Sequence, residues 1–239
     1  MIDCMKGNFQ SYKDTKGYVS FEGDFVYRYV RKEVSTDFID FLNHPVAERL
    51  VRQGLLLAYE RDESHCTEEY LVLKSEKIPF VSYPYEWSFD QLKEAALLTL
   101  ELNIQLLREG FILRDATAFN ILFQRGRAVF VDHLSIGRHS EGEPWMAYSQ
   151  FCRFFLAPLA VMKYRDWNVI GLFQAYLDGL PLETVVSNLP IKSLFHPALL
   201  VHLHLQASIS IRKASRRKLI DKTYFSKEKL LLLFEQLQH

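Results

Sequence analysis

Phe111-Ile-Leu-Arg-Asp-Ala-Thr-Ala-Phe-Asn-Ile-Leu-Phe-Gln-Arg-Gly-Arg-Ala-Val-Phe-Val-Asp-His-Leu-Ser135 is the stretch on which the reading of this chain turns. Phe111–Leu113 is a short apolar strand, and Arg114–Phe119 is a polar loop with small residues. Asn120–Phe123 and Ala128–Val131 read as two further strands, and Gln-Arg-Gly-Arg between them predicts a hairpin turn. Three polar side chains stand at strand edges. Asp115 follows the first strand, Asn120 opens the second and Asp132 ends the third. Antiparallel partners lie about 5 Å apart, so the hairpin makes Asn120 and Asp132 spatial neighbours despite their distance in sequence. Asp115 is separated from Asn120 by one tight loop.

That arrangement suits phosphoryl transfer. Mg²⁺ takes hard oxygen ligands and commonly only one or two from protein, the rest coming from phosphate and water. One carboxylate plus one amide oxygen meets the demand. A second carboxylate, slightly removed, can orient an acceptor hydroxyl and take its proton, because positioning and charge neutralisation supply most of the rate. Taken singly, each residue has an ordinary structural use: Asp115 capping a turn, Asn120 opening a strand, Asp132 closing one in an Asx-turn. Their order and spacing together point to chemistry.

Leu113-Arg114-Asp115-x4-Asn120 resembles the protein-kinase catalytic loop H-R-D-x4-N, and Asp132-His133-Leu134 stands where that superfamily has D-F-G. The resemblance implies an α+β, two-lobed protein-kinase-like fold with ATP and Mg²⁺ (or Mn²⁺) in the cleft. It implies Asp115 as catalytic base or positioner, and Asn120 and Asp132 as metal ligands. A narrower stretch, through Phe119-Asn120, Asp132-His-Leu-Ser135 and Glu143-Pro-Trp-Met-Ala-Tyr-x2-Phe-Cys152, is similar to a bacterial kinase-like region found with SAM-dependent methyltransferases of the nodulation-protein type. This match implies a methyltransferase partner. The chain shows no Gly-rich loop after a strand followed by an acidic residue, as a methyltransferase portion would require.

The departures from the kinase pattern are specific. Leu113 replaces the loop histidine, and His133 and Leu134 replace Phe and Gly. No G-x-G-x-x-G, V-A-I-K or A-P-E is present. Arg28 on the strand Phe25–Val30 is the best stand-in for the phosphate-binding lysine, with Glu48 on the following helix as its ion-pair partner and Lys74 as a rival cation. Arg is not a compact point charge like Lys, and both Arg28 and Glu48 also read as ordinary solvated residues. The segment from Asp132 to Pro144 is too short for a regulated activation loop. These features favour a compact bacterial kinase or small-molecule phosphotransferase, or an inactive pseudokinase scaffold. Transfer of AMP instead of phosphate is a further alternative on the same scaffold.

Outward from this segment, Gly17–Val30 alternates as two strands around Glu22-Gly-Asp24. Ser35–Gly54 has helical spacing interrupted by Pro45, which allows two short helices in place of one. Tyr70–Leu73 and Ile78–Tyr83 read as a strand pair. A long helix is predicted from the N-cap Ser88 to Gly110, and the chain after Trp145 reads as mainly helical. The division predicted is an N-lobe over residues 1–84 and a C-lobe over 85–239. Trp145, Tyr148, Phe151, Phe154 and Phe155 form an aromatic stripe expected in the core. His133 is expected to be packed or hydrogen-bonded, and His202 and His204 lack a third metal ligand nearby. The basic group Arg212, Lys213, Arg216, Arg217 and Lys218 reads as a solvated face, or as a holder of an acidic acceptor. The apolar positions Leu230, Leu233, Phe234 and Leu237 predict a helix docked on the large lobe.

The bulk composition is permissive. Of 239 residues, 49% are hydrophobic and 24% charged, enough for a sizeable core. Lys plus Arg and Asp plus Glu number 29 each, so no electrostatic case for nucleic acid arises. No apolar run reaches the roughly 20 residues of a membrane span, and the N-terminus lacks the apolar core of a signal peptide. Three dispersed cysteines, Cys4, Cys66 and Cys152, fit free thiols and a cytoplasmic location. The expected partner is a small-molecule or protein hydroxyl acceptor.

Overall fold

The computed structural model of the protein describes residues 17–165, 170–208 and 225–238. Cys4 and the basic group Arg212–Lys218 lie outside them. A four-stranded antiparallel sheet forms from β1 (Gly17–Glu22), β2 (Phe25–Arg31), β3 (Glu60–Arg61) and β4 (Tyr70–Glu76), in the order β1-β2-β4-β3. The β1–β2 turn contains Gly23 at φ 59°, a left-handed value that glycine adopts without steric cost. Side chains alternate across β2, so Val26, Arg28 and Val30 share one face and Phe25, Tyr27 and Tyr29 the other. Val30, Leu71 and Leu73 line the buried face.

Helices α1 (Thr36–Leu42) and α2 (Pro45–Arg52) are the two short helices that Pro45 divides. Pro45 cannot continue α1 but suits the first turn of α2, and the His44 ring caps that turn by accepting from Val46 N at 3.3 Å. The predicted strand at Ile78–Tyr83 is absent. β4 already has β2 on one edge and β3 on the other, so no edge is left for it to join. Pro79 also removes a ladder donor. The segment runs as a connector with Phe80 exposed.

The long helix α3 (Phe89–Arg108) starts as expected. Ser88 accepts from Gln91 N, and the Gln91 side chain accepts from Ser88 N. Its buried face runs through Leu92, Ala96, Leu100 and Leu107, and Gly110 at φ 81° turns the chain into β5 (Phe111–Leu113). β6 (Ile121–Gln124) and β7 (Arg127–Phe130) form the expected hairpin, in register Ile121↔Phe130 to Gln124↔Arg127. Arg125 and Gly126 both have positive φ, as a two-residue primed turn requires. One strand was missed: β8 (Ile136–Arg138) pairs antiparallel with β5.

The remainder is helical: α4 (Tyr148–Phe151), a π-helical turn (Cys152–Leu156), α5 (Ala157–Arg165), α6 (Ile170–Ala175), α7 (Leu182–Asn188), the short α8 (Pro197–Leu199) and α9 (Lys227–Gln238). The aromatic stripe packs in the core as read, with the Trp145 ring 5.0 Å from Phe234 of α9 in edge contact. One continuous apolar core runs from Val30 of the sheet through α3 to Phe234 and Leu237. The molecule is thus α+β, with a strand-rich first part and a helical second part.

Candidate active site

Leu113 is the anchor from which the site is built. Its peptide N–H donates to the side-chain oxygen of Asn103 at 3.1 Å, and its carbonyl accepts from the Trp145 indole N–H at 2.8 Å. Asn103 lies fully buried on α3 and donates its own amide to Thr99 O at 3.0 Å. A buried peptide group left unpaired costs about 1–3 kcal/mol, so both side chains fix the backbone two residues ahead of Asp115. Neither role was read from the sequence. Trp145 was assigned to packing alone, and Asn103 was passed over. Its signal was a lone amide among Leu100, Leu102, Ile104 and Leu106.

From there the chain turns polar. Arg114 N donates to Ser135 O at 2.7 Å, which ties the loop to the turn that follows β7. Asp115 Oδ1 accepts from Thr117 N at 2.9 Å, and Ala116 N donates to the Gln150 side chain at 3.2 Å. The Asx-turn is therefore real, and it orients the Asp115 carboxylate. Asn120 closes a 3-10 turn (Ala118–Asn120) just before β6, and its carbonyl accepts from Val131 N at 2.9 Å across the ribbon.

Asn120 and Asp132 meet through a residue that the sequence reading did not single out. Ser135 is buried, its hydroxyl accepts from Asn120 Nδ2 at 3.4 Å, and the same hydroxyl donates to Asp132 Oδ2. With its nitrogen held by the serine, the Asn120 amide turns its carbonyl oxygen away from Ser135 and offers it elsewhere. Arg28 reaches Asp132 from β2: Nη1 lies 3.2 Å from Oδ1, and Nη2 donates to Val131 O at 3.4 Å. The groups from β2, the 3-10 turn and the turn after β7 therefore form one hydrogen-bonded run, Asn120–Ser135–Asp132–Arg28.

Arg28 does not meet Glu48. Helix α2 buries Val46, Ala47 and Leu50, which turns Glu48 outward, where it pairs with Arg52 one turn on. Lys74 lies on the opposite face of the sheet, 3.2 Å from Glu60 and 4.1 Å over the Phe25 ring. Helix α1, not α2, faces the loop, with Asp37 on Arg114 and Asp40 on Arg138.

His133 is packed, as expected. It is 2% exposed, its Nε2 donates to Leu57 O at 2.9 Å, and its ring meets Tyr59 edge-on at 5.0 Å. Burial first, and the Arg28 guanidinium second, push its pKa down to about 4, so the imidazole is neutral at pH 7. His202 and His204 pair with Tyr148 and Ser193 instead. Burial also pushes the Cys152 thiol up to about 12, so it stays protonated.

The donor set fits a hard divalent cation: one carboxylate and one amide oxygen, the carboxylate oxygens each keeping a second lone pair beyond their present partners. The same set lies beside a guanidinium, which suits an anionic ligand that brings the cation with it.

No family model matches the chain. It is 32% identical over 213 residues to the nodulation protein NoeA of Rhizobium meliloti (strain 1021), a match covering 87% of this chain but 44% of the relative. The chain thus spans less than half the length of that curated protein. Among solved structures, vaccinia related kinase 3 aligns at a TM-score of 0.48 with 11% identity, over 96% of this chain and 85% of that one. The bifunctional kinase-methyltransferase WbdD aligns at 0.39 with 16% identity, over 93% of this chain and 42% of that one. The chain is thus an α+β protein similar over most of its length to part of a nodulation protein.

Proposed function

We propose that the chain is a Mg²⁺- and ATP-dependent phosphotransferase acting on a hydroxyl acceptor, either a small molecule or a protein side chain. The observation that carries this reading is the run Asn120–Ser135–Asp132–Arg28, in which a side-chain amide, a carboxylate and a guanidinium from separate segments converge beside the Asp115 loop. Asn120 and Asp132 hold the metal, which supplies charge neutralisation on the phosphate oxygens when bound. Arg28 binds a phosphate oxygen and holds Asp132 in place. Asp115, oriented by Thr117 N–H, receives the acceptor hydroxyl proton.

A second reading, an inactive binding module, is favoured by the engagement of both Asp132 oxygens, one with Arg28 and one with Ser135. Incubation with γ-labelled and α-labelled ATP plus Mg²⁺ or Mn²⁺ separates the readings. Label from the γ position on product supports phosphoryl transfer, and label from the α position replaces it with AMP transfer. Thermal stabilisation by Mg–ATP with neither label transferred supports the binding module. The methyltransferase partner implied by the nodulation-type resemblance belongs to the same proposal. Calorimetric binding of S-adenosylmethionine by the chain alone would instead place that activity within it.

A further inference from the structure

Helix α1 carries two carboxylates, Asp37 and Asp40, three residues apart and so on one face. Both cross to arginines of the β5–β8 ribbon. Asp37 accepts from Arg114 Nη2, and Asp40 Oδ2 lies 3.4 Å from Arg138 Nη2. Arg114 immediately precedes Asp115. Its Nη2 also donates to Arg138 O at 3.3 Å, and its peptide N–H holds Ser135 O. The Arg138 guanidinium lies 4.4 Å over the ring of Phe111, its cross-strand partner at the start of β5.

At Gly137 the Arg114 side chain fills the space that a Cβ would take. A Cβ there would stand 2.5 Å from the Arg114 guanidinium carbon and 2.5 Å from its Nε. Gly137 is absent from the positive-φ residues, so the effect of a Cβ here is to displace the Arg114 guanidinium rather than to strain the backbone. Arg114 therefore lies in a slot floored by β8 and closed by α1. Exposed ion pairs of this kind contribute little to fold stability, and the side chains are 39–56% exposed across the two pairs. Their geometry matters more than their strength.

We propose that Asp37 and Asp40 form a carboxylate clasp that sets the position of Asp115 through Arg114, so that α1 and the catalytic loop move together. Asp37, Asp40 and Gly137 are positioning residues, and Asp115 is the group they serve. The proposal rests on the phosphotransferase reading for its activity readout. A misplacement of about 1 Å at a reacting group costs on the order of a hundredfold in rate, so a loosened clasp is visible in kcat.

The test uses the full chain carrying Asp37→Asn with Asp40→Asn, Gly137→Ala alone, and Asp37→Glu as the conservative variant. The expected result is a kcat lower by about tenfold or more in the first two, with KM for ATP unchanged, and near-normal kcat for Asp37→Glu. Raising salt lowers wild-type kcat by screening the exposed pairs and leaves the double variant unaffected. Unchanged kcat, or a lower Tm with kcat and KM both unchanged, overturns the proposal. If the wild type transfers no phosphate, the phosphotransferase reading fails separately, and hydrogen exchange decides the clasp. Faster exchange of the 111–120 amides in the double variant, with α3 unchanged, upholds it; unchanged exchange of those amides overturns it.

Discussion

Titrating His133 is the perturbation whose size follows most directly from the structure. The imidazole is buried, donates to Leu57 O and lies near Arg28, and its pKa is lowered from 6.5 to about 4. The folded protein therefore holds it neutral where the unfolded chain protonates it. A His with a depressed folded pKa stabilises the fold fully above the unfolded value, and the contribution falls as pH drops from 6.5 towards 4. Between pH 7 and pH 4.5 a shift of this size removes on the order of 2 to 3 kcal/mol through this one group. Urea unfolding of the wild type and of His133→Gln, each at both pH values, isolates it. Gln keeps a donor for Leu57 O and has no proton to take up. The variant is expected to be less stable at pH 7 yet to lose roughly 2 to 3 kcal/mol less on acidification than the wild type. Equal losses in the two proteins, or an imidazole resonance titrating near 6.5, would refute the reasoning.

Asn103→Leu leaves the buried Leu113 N–H without its acceptor, and chemical denaturation should show a loss of about 1–3 kcal/mol. Arg28→Met removes the cation beside Asp132, and calorimetry should show Mg–ATP binding weaker by roughly tenfold or more, since charge-assisted hydrogen bonds contribute about 1.5–3 kcal/mol. Glu48→Gln, by contrast, should leave nucleotide binding unchanged, because Glu48 faces solvent and pairs with Arg52.

What the sequence made legible was local. The β6–β7 hairpin, the Ser88 cap and the break at Pro45 are each written in neighbouring residues, as a turn, a capping box and a missing donor. The juxtaposition of Asn120 and Asp132 followed from hairpin register, a short-range property. Long-range pairing was not legible. Ile78–Tyr83 has strand-like residues, yet β4 had both edges filled by distant β2 and β3. β8 is a three-residue strand whose only reason is β5. The partner of Arg28 is Asp132, 104 positions along the chain, and no helix supplies it. The spacing from strand to helix suggested Glu48, but the apolar face of α2 rotates it outward, while α1 presents Asp37 and Asp40 to the loop. Ser135 and Asn103 act through hydrogen bonds to residues 15 and 10 positions away; the leucines around Asn103 mark it as an amide in need of a partner, but neither neighbourhood names the partner.

Metal-dependent nucleotide binding by Asp132→Ala and Asp115→Ala tests the central claim most directly. Calorimetry with ATP at saturating Mg²⁺ should show binding lost or weakened by at least about a hundredfold in Asp132→Ala, because a direct ligand outweighs the 10–100-fold effect of an outer-shell partner. Asp115→Ala should bind Mg–ATP as the wild type does and transfer no phosphate. Wild-type Mg–ATP affinity in Asp132→Ala would contradict the assignment of Asn120 and Asp132 as the metal site.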